Sequence, residues 1–170
     1  KLGIILLLAG TVAFGQNKKT GWDAAKLKGK VKTYRILDYR FDEQGKPFRG
    51  NTELLTEFDP TGRTTKMQVN NNGMIMSYHD TYNSQGYLME SVSKDEDNKV
   101  LSTNLYEYDK QGNRTRHDLL TDKGSIFMST FSKYNEKQQL IEKSNCVGGE
   151  CDEKRVFTYD DKGYLIQEDK

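Results

Sequence analysis

The sequence predicts an all-β fold: an antiparallel meander of repeated β-hairpins, with about ten strands that form one large twisted or curled sheet. Three observations lead to this prediction. Turn signals punctuate the chain about every 12 residues. The segments between them are rich in aromatic and β-branched residues. The two prolines, Pro47 and Pro60, both lie beside turns, and no capped helical pattern interrupts the series.

The predicted turns fall into two sets that alternate along most of the chain. Members of the first set share an aromatic residue, an Asp or Asn, two variable positions and a Gly. The intact copies are FDEQG at 41–45, FDPTG at 58–62, YNSQG at 82–86, YDKQG at 108–112 and YDDKG at 159–163, and YNEKQ at 134–138 is a degenerate copy. Members of the second set are NNNG at 70–73, DEDNK at 95–99, TDKG at 121–124 and VGGE at 147–150. From its second copy onward the first set recurs about every 25 residues, which is typical of stacked two-stranded units.

Turn geometry explains the Asx–x–x–Gly pattern without a ligand. In a type I turn followed by a glycine bulge, the first side chain caps the turn and the fourth residue needs a positive φ. Calcium is the alternative, and DEDNK is its strongest stretch, since Asp95 and Asp97 occupy the first and third places of a calcium loop. Lys99 and Val100 stand where that loop needs an oxygen donor and a glycine. We therefore expect neither a metal nor a cofactor.

The N-terminal stretch KLGIILLLAGTVAFG, residues 1–15, has the order of a secretory signal peptide that is truncated at its start. A buried apolar strand or helix is the alternative interpretation. The apolar run is shorter than the roughly 20 residues that span a bilayer, so we expect no transmembrane anchor. Residues 16–30 are then a lead-in segment and residues 31–170 a single β-hairpin-repeat domain. An exported protein of this kind is expected in the periplasm, outside the cell or on its surface.

The two cysteines bracket the predicted tip CVGGEC. Gly148 and Gly149 would form a tight turn and place Cys146 and Cys151 on adjacent strands. In an oxidising compartment this arrangement predicts a disulfide. Two cysteines alone are a weak indication of a metal site.

Charge argues against one class of partner. The chain has 26 Lys and Arg against 25 Asp and Glu, and both signs are scattered along it. Nucleic-acid binding requires a basic patch or stripe, so we expect no nucleic-acid partner.

The segments YEYDKQGNRT at 106–115 and FTYDDKGYLIQ at 157–167 resemble the YD repeats of bacterial Rhs-type surface and toxin-shell proteins. The resemblance covers residues 52 to 168, about five units. The lead-in strand LKGKVKTYRILDYRFDEQGK at 27–46 is also similar to small exported YD-repeat proteins of the Bacteroidetes type. What the resemblance implies is a continuous curved sheet of antiparallel hairpins. Full Rhs proteins have many more repeats and a toxin domain, which this sequence lacks.

Alternation along the strands predicts an aromatic face. Tyr106 and Tyr108 share that face, which is expected to continue through Asn113 and Thr115 across the hairpin. The tyrosines that recur with the hairpins are Tyr78, Tyr82, Tyr87, Tyr106, Tyr108, Tyr134, Tyr159 and Tyr164. If exposed, they could stack on sugar rings or peptide side chains. The favoured alternative is that they form the core, because only 34% of the residues are hydrophobic and the chain needs those rings inside.

Catalysis is not expected. His79 precedes Asp80 and His117 precedes Asp118, and neighbours in a strand point to opposite faces. No nucleophile elbow, zinc-protease motif or phosphate loop is present in the sequence. We therefore expect a non-catalytic interaction module of the cell envelope with a protein or glycan partner. The alternatives are a structural protein that self-associates through its edge strands and, less favoured, an enzyme whose site is assembled from distant strands.

Overall fold

The computed structural model describes residues 20–170, which form eleven antiparallel strands in a single open sheet. The strands lie in chain order, each hydrogen-bonded to the next, so the predicted all-β meander is confirmed. A four-residue helix, α1 (Gly21–Ala24), precedes them. The strands are β1 (Thr33–Phe41), β2 (Pro47–Phe58), β3 (Thr64–Asn71), β4 (Met74–Tyr82), β5 (Leu88–Lys94), β6 (Val100–Tyr108), β7 (Arg114–Thr121), β8 (Ile126–Tyr134), β9 (Leu140–Val147), β10 (Glu150–Tyr159) and β11 (Leu165–Asp169).

The predicted signal peptide at residues 1–15 lies outside the described residues, as does the start of the lead-in segment. The sequence showed no capped helical pattern, yet α1 has a complete capping box. The Thr20 hydroxyl accepts from the backbone N–H of Asp23, and the Asp23 carboxylate accepts from the backbone N–H of Thr20. The helix escaped detection because four residues are too few to show a helical period.

Local chemistry forms the hairpin turns as predicted. In the β6–β7 turn, Oδ1 of Asp109 accepts from the backbone N–H groups of Gln111 at 3.0 Å and Asn113 at 2.8 Å. The Gly112 N–H donates to the Asp109 carbonyl at 3.1 Å, and Gly112 has a φ of 88°. The same pattern recurs at the other intact aromatic–Asx turns. It also recurs at DEDNK, where Asp95 accepts from the N–H groups of Asp97 and Lys99. The Oδ1 atom of Asp95 thus satisfies two backbone donors of its own turn.

The two sets of turns lie at opposite ends of the sheet. Turns β2–β3, β4–β5, β6–β7, β8–β9 and β10–β11 carry an aromatic–Asx segment at one end, here called the aromatic-turn end. The remaining five turns lie at the other end, here called the opposite end. FDEQG at 41–45 connects β1 to β2 and therefore belongs to the opposite end, although its sequence matches the first set. This is why its distance to the next copy is shorter than the repeat.

The core is thin because the sheet is a single layer. Every extensive strand contact joins neighbours in chain order, and no large side chain in residues 20–170 is completely buried. Phe58 and Cys146 are the buried hydrophobic residues of that region. Extensive packing of one face of the sheet against another is therefore not seen in residues 20–170. Side chains are instead shielded by their neighbours in adjacent strands, which buries small polar residues such as Ser93 and Ser129.

One face of the sheet is charged. The Glu142 carboxylate forms ion pairs with Lys133 Nζ at 2.9 Å and with Lys154 Nζ at 3.1 Å, and each lysine lies on a neighbouring strand. Arg116 pairs with Asp118 at 2.8 Å. Most of these cations are substantially exposed, so each such pair contributes little to stability.

Candidate binding surface

The eight tyrosines singled out in the sequence do not form one exposed patch. Seven of them are half-buried, and Tyr164 is the exception with 68% of its surface exposed. The face that carries Tyr78, Tyr82, Tyr106, Tyr108 and Tyr134 is here called the tyrosine face. Burial on this face is provided by contacts between successive repeat units.

From β4 onward, each aromatic residue that opens a turn at the aromatic-turn end contacts a residue just after the turn of the preceding unit. The Arg63 guanidinium lies over the Tyr82 ring, 5.1 Å from its centroid. Tyr87 stacks on Tyr108 with ring centroids 4.9 Å apart. These contacts join neighbouring units at the β3–β4 and β5–β6 strand pairs, so they add side-chain contacts to the backbone pairing there.

Later units replace ring contacts by hydrogen bonds. The Tyr134 hydroxyl donates to the Arg114 carbonyl at 3.2 Å, and the Tyr159 hydroxyl donates to the Leu140 carbonyl at 2.8 Å. In every case the aromatic residue is half-buried by the preceding unit. The repeat tyrosines of the aromatic-turn end thus join successive units through side-chain contacts.

The prediction that the tyrosine face continues through Asn113 and Thr115 across the β6–β7 hairpin was wrong. Tyr106 pairs with His117, whose imidazole stacks on the ring at 4.8 Å, and Arg114 lies 5.5 Å from the ring centroid. Asn113 is a buried turn residue. A register shift between Glu107 and Tyr108 is the reason, since it inserts one extra residue into β7 and moves Arg114 opposite Tyr108.

A half-buried polar cluster lies at the centre of the tyrosine face. Burial raises the pKa of Asp80, although side-chain hydrogen bonds with Ser91 and Tyr82 oppose the shift. Burial likewise raises the pKa of Tyr82 and of Tyr106 above the usual range. An acid whose charge is unfavourable in its own site is a common mark of a functional cluster, although structural networks show it too.

The histidines are not arranged for general-base catalysis. His117 Nε2 lies 2.8 Å from Oδ1 of Asn104, and its pKa is lowered by burial and then by Arg114. Asp118, its neighbour in sequence, lies on the other face and accepts from the Ser129 hydroxyl at 2.7 Å. His79 Nε2 lies 3.1 Å from the Ser77 hydroxyl oxygen. Neither histidine has a hydrogen-bonded carboxylate, and residues 20–170 contain no group of three or more potential metal ligands.

A second surface was missed by the sequence analysis. Every turn of the opposite end has at least one large apolar side chain beside it that is more than a third exposed. These residues form what we call the apolar rim: Phe41, Phe48, Met74, Leu101, Ile126, Phe127 and Val147. Each of these residues lies within three residues of a predicted turn, so its place at a strand end was visible in the sequence. A period-two pattern does not show whether a strand end is covered or exposed to solvent.

Two open depressions mark the surface. One, of about 520 Å³, is lined by residues of β2 and β3 such as Arg49, Glu53 and Asn70. The other, of about 500 Å³, lies between the last two aromatic turns and includes Gln139, Phe157 and Asp160. Both are open to solvent, and neither is lined by Asp80.

The predicted disulfide is confirmed. Cys146 and Cys151 are bonded and lie opposite each other on β9 and β10, beneath a tip formed by Gly148 and Gly149. None of the helical residues in the described range forms a segment that is long and apolar enough to cross a membrane.

Similarity to known proteins is found among solved structures and not among sequences. No protein-family model matches the chain, and no curated protein sequence matches it. Among solved structures, a porin-like protein from Bacteroides uniformis is similar with a TM-score of 0.37 and 11% identity, over 79% of this chain and 63% of that one. The complex TcdB2-TccC3-TEV is similar with a TM-score of 0.36 and 12% identity, over 77% of this chain and 9% of that one. The chain thus spans less than two thirds of the length of either structure.

Proposed function

We propose that this protein is an exported, non-catalytic interaction module of the cell envelope that binds a protein or glycan partner. The observation that carries the proposal is the apolar rim, in which Phe41 and Met74 are each 70% exposed. Apolar side chains that are exposed at every turn of one end of a sheet would be removed from water if a partner covered that end. Because the rim is aliphatic and aromatic rather than hydroxyl-rich, it favours protein over glycan.

Two features support export and the type of repeat. A disulfide is expected to persist in an oxidising compartment, and the signal-like N-terminal sequence points the same way. We also assign the hairpin array to the YD-repeat type, on the ground that its aromatic–Asx turns stack unit on unit at one end of the sheet.

The absence of catalysis is supported by the geometry of the titratable groups. Asp80 and His117 share the tyrosine face, but His117 is hydrogen-bonded to Asn104 and stacked on Tyr106. A base needs a carboxylate or carbonyl to orient it and an open position for substrate. His117 has an orienting partner in the Asn104 amide oxygen, but it lines neither of the two surface depressions described above.

Site-specific photo-crosslinking tests the proposal. A photoreactive amino acid replaces Phe127 in the apolar rim, and the matched control replaces Lys110, an exposed residue of the aromatic-turn end. We expect one discrete crosslinked species in envelope fractions of the source organism with the Phe127 variant and none with the Lys110 variant. Equal or no crosslinking at both positions would contradict a rim-mediated partner.

A structural role is the second candidate, because both outer strands expose apolar side chains: Ile36 and Tyr39 on β1, and Leu165 and Ile166 on β11. Exposed outer strands can pair between copies. Sedimentation velocity from micromolar to millimolar concentration separates the two roles. A monomer at every concentration rules out assembly through these edges.

A further inference from the structure

The depression between the last two aromatic turns has an apolar floor. Glu142 of β9 pairs with Val156 of β10, so their neighbours Ile141 and Phe157 lie side by side on the other face of the sheet. Both line this depression of about 500 Å³, and so does Tyr159. A ligand that enters it therefore meets one aliphatic and two aromatic side chains.

An arginine fills the equivalent place between the first two aromatic turns. We call the residue that follows each aromatic–Asx segment its exit residue. In the β2–β3 turn the exit residue is Arg63, whose guanidinium lies 5.1 Å from the centroid of the Tyr82 ring. Its Nε donates to Oδ2 of Asp59 at 2.6 Å. This arginine thus covers the tyrosine that opens the next aromatic turn and pairs with a turn aspartate.

The exit residue of the β8–β9 turn is Gln139, which is shorter than arginine and uncharged. Its Oε1 accepts from Asn135 Nδ2 at 2.8 Å, and its Nε2 donates to the Gly163 carbonyl at 3.2 Å. No guanidinium of residues 20–170 lies over the Tyr159 ring. The depression therefore corresponds to the place that an arginine side chain fills beside Tyr82.

A carboxylate oxygen beside the depression is also left without a donor. In the β6–β7 turn, Oδ2 of Asp109 accepts from the side chain of the exit residue, Asn113, at 3.0 Å. In the last aromatic turn the exit residue is Tyr164, and Asp160 uses Oδ1 for its two backbone hydrogen bonds. Within residues 20–170, Oδ2 of Asp160 accepts no hydrogen bond. An incoming N–H group would therefore find an acceptor there.

The charges around the depression favour a cation over an anion. Glu136, Asp160 and Asp161 line it with three carboxylates, and Lys137 lines it with one ammonium group. A guanidinium is planar and always charged, and it stacks on aromatic rings while it donates hydrogen bonds to carboxylates. The floor and the margin of the depression together match that chemistry.

We propose that this depression is a docking site for an arginine side chain of a protein partner. The guanidinium lies over the aromatic floor and donates to Oδ2 of Asp160. Within the chain, Arg63 makes the same two kinds of contact, with Tyr82 and with Asp59. The inference rests on the proposed function, since it names a chemical group that the protein partner supplies.

An NMR titration of the nitrogen-15-labelled full chain with a small arginine probe tests the site. The probe is N-acetyl-arginine amide, and the matched control is N-acetyl-citrulline amide, a neutral molecule of nearly the same shape. We expect saturable shifts of the backbone amide signals of Gln139, Phe157 and Tyr159 with the arginine probe, at a dissociation constant on the order of millimolar, and none with the citrulline probe. Shifts that do not saturate, or equal shifts with both probes, would overturn the proposal.

Three variants show whether the probe binds in the depression, and the NMR spectrum of each reports whether the fold is retained. Asp160→Asn keeps an Asx turn but removes the carboxylate, so the arginine probe should bind at least about fivefold more weakly. Gln139→Arg supplies a guanidinium from within the chain and should abolish binding. Asp122→Asn removes the same charge from an exposed turn of the opposite end and should leave binding unchanged. Wild-type affinity in the Gln139→Arg variant, or equal affinities in the two aspartate variants, would contradict the site.

Crosslinking at Phe127 separates this inference from the proposed function, because Phe127 lies at the opposite end of the sheet. A discrete Phe127 crosslink without arginine binding overturns the arginine site and leaves the proposed function standing. Arginine binding without a Phe127 crosslink supports the arginine site and contradicts a partner that binds through the apolar rim.

Discussion

The two ends of the hairpin array differ in what covers them. At the N-terminal end, Trp22 of a short helix packs on Phe58, which is 7% exposed. At the C-terminal end, Tyr164 holds the position equivalent to Trp22 and is 68% exposed. At both ends the turn Asp accepts the same two backbone hydrogen bonds. In a single-layer sheet, burial of a ring is thus decided by the neighbouring unit and not by the motif that contains the ring.

The largest expected effect comes from removing the cap at one end. Trp22→Ala should lower the free energy of unfolding by about 2–3 kcal/mol, less than a fully buried Trp would lose because Trp22 is half-buried. Tyr164→Ala should change it by less than about 0.5 kcal/mol. Urea unfolding followed by far-ultraviolet circular dichroism measures both. Similar losses for the two variants would show that the ends are energetically equivalent.

Two turn glycines with a left-handed backbone allow a covered and an uncovered position inside the array to be compared. Gly112 has a φ of 88° beneath Tyr87, whereas Gly124 has a φ of 78° with open space around it. Gly124→Ala should cost about 1 kcal/mol from backbone strain alone, and Gly112→Ala about 2–3 kcal/mol because Tyr87 must also move. Thermal unfolding of both variants measures the difference. Equal costs would mean that the inter-unit contact adds nothing to the turn.

The degenerate turn offers a gain in stability. Gln138 stands where the other aromatic turns have Gly and adopts a φ of 62°. Gln138→Gly should raise the free energy of unfolding by about 1 kcal/mol, because glycine adopts this conformation without strain. Lys137→Gly, one residue earlier, is the matched control and should not stabilise. A loss of stability for Gln138→Gly would show that its side chain makes a contact worth more than the strain.

The last expected effect is confined to low pH and concerns the N-terminal end of the array, where Asp59 opens the turn that Trp22 covers. Burial opposes ionisation of Asp59, but hydrogen bonds from Thr61 and Arg63 outweigh it and lower the pKa of this carboxyl to about 2. Because this value lies below the unfolded one, the stabilisation is complete above about pH 4 and is lost as pH falls towards 2. Asp59→Asn keeps an Asx turn and should flatten this part of the stability curve, measured by urea unfolding at each pH.

The matched control for that curve is Asp161→Asn, an exposed position in the last aromatic turn. It should retain the wild-type slope between pH 4 and pH 2. An unchanged slope for Asp59→Asn would place the acid sensitivity elsewhere in the sheet.

Much of the candidate site could not be predicted because it depends on register. Alternation correctly placed Tyr106 and Tyr108 on one face, but a bulge in β7 put His117 and Arg114 on the Tyr106 ring instead of Thr115. Bulges follow from how a turn closes, and a period-two pattern does not record them. The apolar rim was missed for a related reason, since exposure at a strand end depends on what lies beyond it.

The sequence by itself determined the hairpins and their order, because the Asx side chain and the positive φ of the fourth residue act within five residues of chain. It also determined the disulfide, through two cysteines on either side of a glycine tip. Only the tertiary structure decided which rings are covered, that FDEQG belongs to the opposite end, and that Tyr164 is exposed while Phe58 is buried. Those outcomes depend on contacts between units about 25 residues apart, and local propensity carries no information about such neighbours.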